Sequence, residues 1–198
     1  MKKIVFATGN QGKLREVKKI LADLNVDIVS MKEEGIQIDV DENGTTFAEN
    51  AQIKATAIGA HTDAIVLADD SGLVIDALNG EPGIYSARYL GEDTSYRIKN
   101  QNLIDRLEGV PDEKRTARFV CAIAAALPDG TVLHTEGTIE GIIGYEERGE
   151  NGFGYDPIFC VPKLGKTTAE LTDDEKNAIS HRGSALEKMK VLLREYIN

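Results

Sequence analysis

Val66-Leu67-Ala68-Asp69-Asp70-Ser71-Gly72-Leu73 is an apolar run that ends abruptly in two acids, a hydroxyl and a glycine. Val66 to Ala68, short and flanked by polar and turn residues, predicts a strand at the centre of a sheet. Two adjacent carboxylates at such a strand end are costly unless compensated. A divalent cation, a helix N-terminus or basic side chains can all compensate them. Neighbouring side chains on an extended chain point to opposite faces, so Asp69 and Asp70 are expected to have different tasks. The plainer reading is a strand that runs out into a solvated Asp-Asp-Ser-Gly turn, with a separate short strand over Leu73 to Ile75.

Towards the N-terminus, Lys2 to Ala7 predicts a first strand and Thr8-Gly9-Asn10-Gln11-Gly12-Lys13 a sharp turn. A helix follows to about Leu24, with Leu14, Val17, Ile20, Leu21 and Leu24 on one face. Strand, glycine turn and a helix that starts with a lysine can hold phosphate, because backbone N–H groups, the helix N-terminus and Lys13 all favour an anion. It is neither a Walker A loop nor GxGxxG, and a plain strand-to-helix turn has the same outline. Asp27 to Ser30 predicts a second strand. The acidic stretch Asp39-Val40-Asp41-Glu42-Asn43-Gly44 stops at Thr45 and Thr46, candidate N-caps of a helix to about His61. Phe47, Ala51, Ala55 and Ile58 form its buried stripe, and Asn50 and Lys54 lie along its border. The acids before it read either as a solvated turn or as the source of one metal ligand held against Asp70.

Beyond the central acids, Gly80-Glu81-Pro82-Gly83 reads as a turn and Ile84 to Tyr89 as irregular chain. Ser95 to Leu107 predicts a helix with Ile98, Leu103, Ile104 and Leu107 mostly inward. Arg118 to Leu127 is a buried strand that turns at Pro128-Asp129-Gly130 and returns over Thr131 to Ile143, a hairpin long enough to project as its own lobe. The glycine-rich loop Gly144 to Asp156 ends in Gly152-Phe153-Gly154-Tyr155-Asp156-Pro157. Its aromatics suit stacking on a flat ring or anchoring to the core. Ile158 to Val161 is a last strand. Thr172-Asp173-Asp174-Glu175 is a capping box that opens a short helix containing Lys176. Ser180-His181-Arg182-Gly183 leads to a final helix that buries Ala185, Leu186, Met189, Leu193 and Tyr196. Cations at a helix start oppose its dipole, so His181 and Arg182 call for a carboxylate or a ligand.

The 198 residues suffice for one large domain or two lobes, and 41% hydrophobic with 28% charged residues is ordinary for a soluble globular chain. A net charge of −10 argues against a nucleic-acid polymer or an anionic membrane as partner, since both need basic surface. A single nucleotide remains compatible, because a metal and a few lysines can meet its charge locally. Cys121 and Cys160 sit in apolar runs without metal spacing and fit a reducing compartment. Ile4-Val5-Phe6-Ala7 is too short for a signal-peptide core, and no run approaches the ~18–20 apolar residues of a membrane span. The expectation is a soluble cytoplasmic protein.

The turn Thr8 to Lys13, Ala68-Asp69-Asp70-Ser71-Gly72-Leu73, Pro82-Gly83-Ile84-Tyr85-Ser86-Ala87-Arg88, Gly152 to Pro157 and Ser180-His181-Arg182-Gly183 together resemble the inosine/xanthosine triphosphate pyrophosphatase family. The resemblance runs from Lys3 to the last helix. It implies an α/β fold with two lobes, a long mixed central sheet flanked by helices and an active cleft between the lobes. Residues 1–198 would then be a single pyrophosphatase domain, working as a homodimer. It further implies hydrolysis of non-standard purine nucleoside triphosphates (ITP, dITP, XTP) to the monophosphate and pyrophosphate, with Mg²⁺ as cofactor.

By the same resemblance, Thr8, Gly9, Asn10, Gln11, Gly12 and Lys13 grip the triphosphate with Lys54. Glu42 and Asp70 hold the metal. Asp70 also orients or deprotonates water, Asp69 assists, and Ser71 touches substrate. Phe153 stacks on the base within the Gly154-Tyr155-Asp156 loop, and Asp156, Lys176, His181 and Arg182 read its edge. Tyr155 stands where some relatives carry tryptophan. A triphosphatase that cleaves at the γ-phosphate and a non-catalytic nucleotide sensor remain as rivals. A haloacid-dehalogenase-type phosphatase needs Asp-x-Asp and is excluded by Asp69-Asp70-Ser71.

Overall fold

The computed structural model describes residues 2–197. Its strands are β1 (Lys3–Phe6), β2 (Asp27–Ser30), β3 (Ile65–Ile75), β4 (Thr116–Ala126), β5 (Val132–Ile143), β6 (Phe159–Val161) and β7 (Lys166–Thr167). They form one seven-stranded sheet in the order β2-β1-β3-β4-β5-β6-β7. β1 pairs in parallel with β2 and β3, whereas β5, β6 and β7 pair antiparallel, so the sheet is mixed. The helices are α1 (Gln11–Ile20), α2 (Phe47–Gly59), α3 (Tyr96–Arg106), α4 (Asp173–Ile179) and α5 (His181–Ile197).

Contacts divide the chain into two compact units. The first is Met1–Asp70, Cys121–Gly137 and His181–Asn198; the second is Ser71–Val120 and Thr138–Ser180. The first has two apolar clusters that follow the pleat of the strands. Ile4, Phe6, Ile65, Leu67, Cys121 and Ile123 pack with Leu14 and Val17 of α1 and Leu186 and Met189 of α5. Val5, Ala7, Val66, Ala68, Ala122 and Ala124 pack with Ala51, Ala55 and Ile58 of α2. The core of the second unit joins Leu73, Ile75, Leu103, Leu107, Phe119, Ile143, Ile158 and Phe159. Beside it Arg115, 1% exposed, donates to the carbonyls of Leu107, Ile143 and Gly144.

Several expectations change. β3 does not stop at Ala68; it runs on through Asp69, Asp70 and Ser71 to Ile75, because the two acids find partners described below. β4 and β5 occupy the middle of the sheet rather than a lobe of their own. Ile84 to Tyr89 is mostly a 3-10 helix over Gly83–Arg88, held where Ser86 Oγ donates to the Gly83 carbonyl and accepts from Leu73 N–H. In α3 the buried positions are Lys99, Asn100 and Leu103, and Ile98 is 58% exposed. α1 ends at Ile20, and a 3-10 turn over Ala22–Leu24 closes at Asn25, whose φ of 49° suits asparagine.

Candidate active site

The alternation of β3 decides where the two acids go. Ile65 and Leu67 face α1 and α5, and Val66 and Ala68 face α2. Asp69 therefore falls on the first face and Asp70 on the second. Asp69, 1% exposed, receives Lys13 Nζ at 3.0 Å and Arg182 Nε and Nη2 at 3.3 and 3.2 Å on Oδ2. Arg182 Nη1 also pairs with Glu16 on α1. Asp70 Oδ2 instead accepts from Asn50 Nδ2 of α2 at 3.1 Å. Lys54, one turn further along α2, pairs with Glu42 Oε1 at 3.0 Å.

Local chemistry sets these directions. Asn10 caps α1, its side-chain oxygen accepting from Gly12 N at 2.8 Å and Lys13 N at 3.1 Å. Thr8 Oγ1 accepts from Asn10 N at 3.1 Å. The Thr8–Lys13 turn is thus already folded, with Lys13 aimed at Asp69. The Gly12 and Lys13 amides are occupied by Asn10, so a phosphate bound through them must displace that cap. Thr46 caps α2 by accepting from Glu49 N. Asn50 Oδ1 accepts from Gly44 N at 2.8 Å, so one side chain ties the acidic stretch to Asp70.

The two acids live in opposite fields. Burial would raise the Asp69 carboxyl, but the charges of Lys13, Arg182 and Lys54 overcome it and hold the group well below the usual range. Burial pushes Asp70 up to about 6; the Glu42 charge adds to this, while the Asn50 hydrogen bond and the lysine charges oppose it. Asp69 is a fixed anion, and Asp70 is a group that can take a proton near neutral pH. Among the described residues no group of three or more His, Cys, Asp and Glu could hold a metal ion. Glu42, ion-paired with Lys54, and Asp70, hydrogen-bonded to Asn50, are two carboxylates of the kind that bind Mg²⁺ together with phosphate oxygens and water. The thiol of buried Cys121 is pushed up to about 12, chiefly by burial.

The second unit holds the aromatic loop. Asp156, 3% exposed, accepts on Oδ2 from Phe153 N at 2.9 Å and Lys176 Nζ at 2.7 Å, and on Oδ1 from Thr168 Oγ1 at 2.8 Å. Lys176 Nζ lies 4.7 Å from the centroid of the Phe153 ring, a cation–π contact. The capping box of Thr172 and Glu175 brings Lys176 inward on α4. Tyr155 stands edge-on to Tyr96, centroids 5.1 Å apart, and its hydroxyl donates to the Ser86 carbonyl. Tyr155 is therefore an anchor, and Asp156 and Lys176 form a buried pair, with Asp156 accepting from Phe153 N and Lys176 against the Phe153 ring. Ser71 is half-buried on β3.

Gly152 has φ +71°, and a Cβ there would overlap the Asp156 carboxylate. Gly152→Ala is expected to lose about 1–2 kcal/mol from backbone strain alone and to raise KM by loosening Phe153. Thermal unfolding and steady-state kinetics check both; unchanged values would mean the loop does not depend on this packing.

The family model of the Ham1 family matches residues 4–192. The chain belongs to the Ham1 family. A dITP/XTP pyrophosphatase of Exiguobacterium sibiricum is 48% identical over 195 residues, covering 98% of both chains. A dITP/XTP pyrophosphatase of Bacillus subtilis is 49% identical over 193 residues, again 98% of both. The structure of a HAM1 protein from Coxiella burnetii superposes with a TM-score of 0.88 at 45% identity, covering 98% of this chain and 100% of that one.

In this Ham1 chain the first unit brings together Lys13, Glu42, Lys54, Asp69, Asp70 and Arg182, and the second brings together Phe153, Asp156 and Lys176. His181, 6% exposed, opens α5 beside Arg182. Sequence reading passed over Glu16, which sits one helical turn after Lys13 and would have been legible as the carboxylate that a cation at the start of α5 requires. It placed Asn50 at a helix border without seeing its bond to Asp70.

Proposed function

We propose that this chain hydrolyses non-standard purine nucleoside triphosphates (ITP, dITP and XTP) to the nucleoside monophosphate and pyrophosphate. The observation that carries the reading is the split pair on β3, with Asp69 clamped as an anion by Lys13 and Arg182 on one face and Asp70 held by Asn50 on the other. Family membership and relatives named dITP/XTP pyrophosphatase support it. Lys13 and Lys54 supply positive charge for a triphosphate, and the turn at the start of α1 supplies backbone donors once phosphate displaces the Asn10 cap. Asp70 orients the attacking water and takes its proton. Glu42 and Asp70 would hold Mg²⁺, which when bound screens the phosphates and acidifies water.

Phe153 stacks on the base in this reading, and His181 and Arg182 offer donors to a 6-keto group. Adenine presents an amino group there and leaves a donor unpaired, a mismatch of about 1.5–3 kcal/mol per charged hydrogen bond. Arg182 already pairs with Asp69 and Glu16. The ratio of kcat/KM for ITP over ATP is expected to fall in His181→Ala and Arg182→Ala; a ratio preserved in both would move base reading elsewhere. The chain is further proposed to work in the cytoplasm as a homodimer. Free Cys121 and Cys160 agree with a reducing compartment, and no helix of the described residues is long and apolar enough to cross a membrane. Incubation with ITP and Mg²⁺, with pyrophosphate and orthophosphate assayed separately, tests the reaction. Pyrophosphate is expected, and orthophosphate as the sole primary product would refute it.

A further inference from the structure

Asn100 lies on α3 and is 1% exposed. Its Nδ2 donates to Glu147 Oε1 at 2.7 Å and to the Gly154 carbonyl at 3.3 Å. Its Oδ1 is buried without a hydrogen-bond partner among the described residues. A buried amide used from one end only is unfavourable for stability, and a leucine of similar size would fill the same space without an orphaned acceptor. What the amide provides is a grip on backbone that no apolar side chain can make. The gripped carbonyl belongs to the residue directly after Phe153.

The remaining ties of that loop leave this carbonyl to Asn100. Asp156 holds the Phe153 N–H, and Lys176 lies against the Phe153 ring. Tyr155 is pinned to Ser86 and to the edge of Tyr96. Gly154 between them has φ +66° and lies against the Tyr96 ring of the same helix. Tyr96 and Asn100 are one turn apart on α3, so they present one face to the loop. Lys99 fixes the other neighbour of that helix, donating to the Ala87 carbonyl at 2.7 Å.

We propose that Asn100 is a positioning residue for base recognition: by holding the Gly154 carbonyl and Glu147 together it sets the plane of the Phe153 ring. This rests on the reading of Phe153 as the base-stacking residue. The hydrogen bonds of Asn100 go to Glu147 and the Gly154 carbonyl, so its loss should weaken nucleotide affinity without changing the handling of phosphate or the chemical step.

Asn100→Asp preserves size and removes both donors, setting a carboxylate against Glu147. It is expected to raise KM for ITP about 10-fold, the equivalent of about 1.4 kcal/mol, with kcat within about 2-fold. Inhibition by tripolyphosphate, which has no base, should be unchanged, whereas a general loosening of the fold would weaken both together. Glu147→Gln keeps an acceptor oxygen for Asn100 Nδ2 and should raise KM less than N100D does. In N100D/E147Q an amide again faces a carboxylate, and part of the lost KM should return. If N100D does not fold, Glu147→Ala removes one of the two acceptors that Asn100 holds together, from an exposed loop position, and should still raise KM about 3-fold. The proposal is overturned by an unchanged KM in folded N100D or in E147A, by tripolyphosphate affinity that falls in step with KM, or by a double variant no better than N100D. Failure of the wild-type chain to hydrolyse ITP would instead strike the functional reading on which the proposal stands.

Discussion

Asp70→Asn is expected to lower kcat by about 10²–10⁴-fold, the usual contribution of a positioned general base, while making the free protein more stable at pH 8. The substitution is nearly isosteric, and the amide oxygen can still accept from Asn50 Nδ2. What disappears is an ionised carboxylate that burial and Glu42 disfavour. Raising the group from its ordinary 3.8 to about 6 corresponds to about 3 kcal/mol. Solvent screening of a half-buried side chain leaves an expected gain of about 1–2 kcal/mol. The sign follows from proton binding. Between about pH 4 and pH 6 the folded wild type holds the Asp70 proton more tightly than the unfolded chain, so this contribution is present below 3.8 and lost as pH rises through about 6. The gain in Asp70→Asn should therefore be full at pH 8 and vanish by pH 4. Unfolding curves at the two pH values, set beside kcat, check both halves. A folded variant with unchanged kcat would remove Asp70 from the chemistry, and one destabilised at pH 8 would remove the account of its pKa.

Arg182→Ala is expected to be the most destabilising substitution in the first unit, at about 3–5 kcal/mol, because it removes one partner from a buried ion pair. Arg182 is 2% exposed and Asp69 1% exposed. The described ion pair of Lys13 with Asp69 would remain, and Glu16 would lose its pairing with Arg182. Arg182→Lys should not restore stability, since a single ammonium cannot meet Asp69 and Glu16 from opposite ends of a planar fork. The deficit depends on pH in the sense opposite to Asp70. A carboxyl held below its ordinary value contributes stability above about pH 4 and loses it as the medium becomes more acidic, so wild type and variant should converge on acidification. Chemical denaturation across pH measures this; a variant within about 0.5 kcal/mol of wild type at pH 7 would mean that the pair does not hold the fold.

Much of this arrangement was legible in the residues. Period-two alternation along Ile65–Asp70 is enough to send Asp69 and Asp70 to different faces, and helical periodicity places the apolar stripes of α1, α2 and α5 that meet those faces. The capping signals at Asn10, Thr46 and Thr172 likewise mark where α1, α2 and α4 begin. Long-range pairing was not legible. Whether β3 ends at Ala68 or continues depends on cations that arrive from Lys13 and Arg182, the latter 113 residues away in sequence. For the same reason Asp156 and Lys176, which the resemblance assigns to the edge of the base, show their mutual pairing, 20 residues apart, only in the folded chain. Buried polar residues such as Asn100 and Arg115 look like surface positions in a sequence, because the carbonyls they bind carry no side-chain signature.

Hydrolysis of ITP in ¹⁸O-labelled water tests the central claim most directly, that Asp70 directs water at the α-phosphorus. The account predicts one labelled oxygen in inosine monophosphate and none in the pyrophosphate released with it. Label in pyrophosphate or in orthophosphate would contradict it.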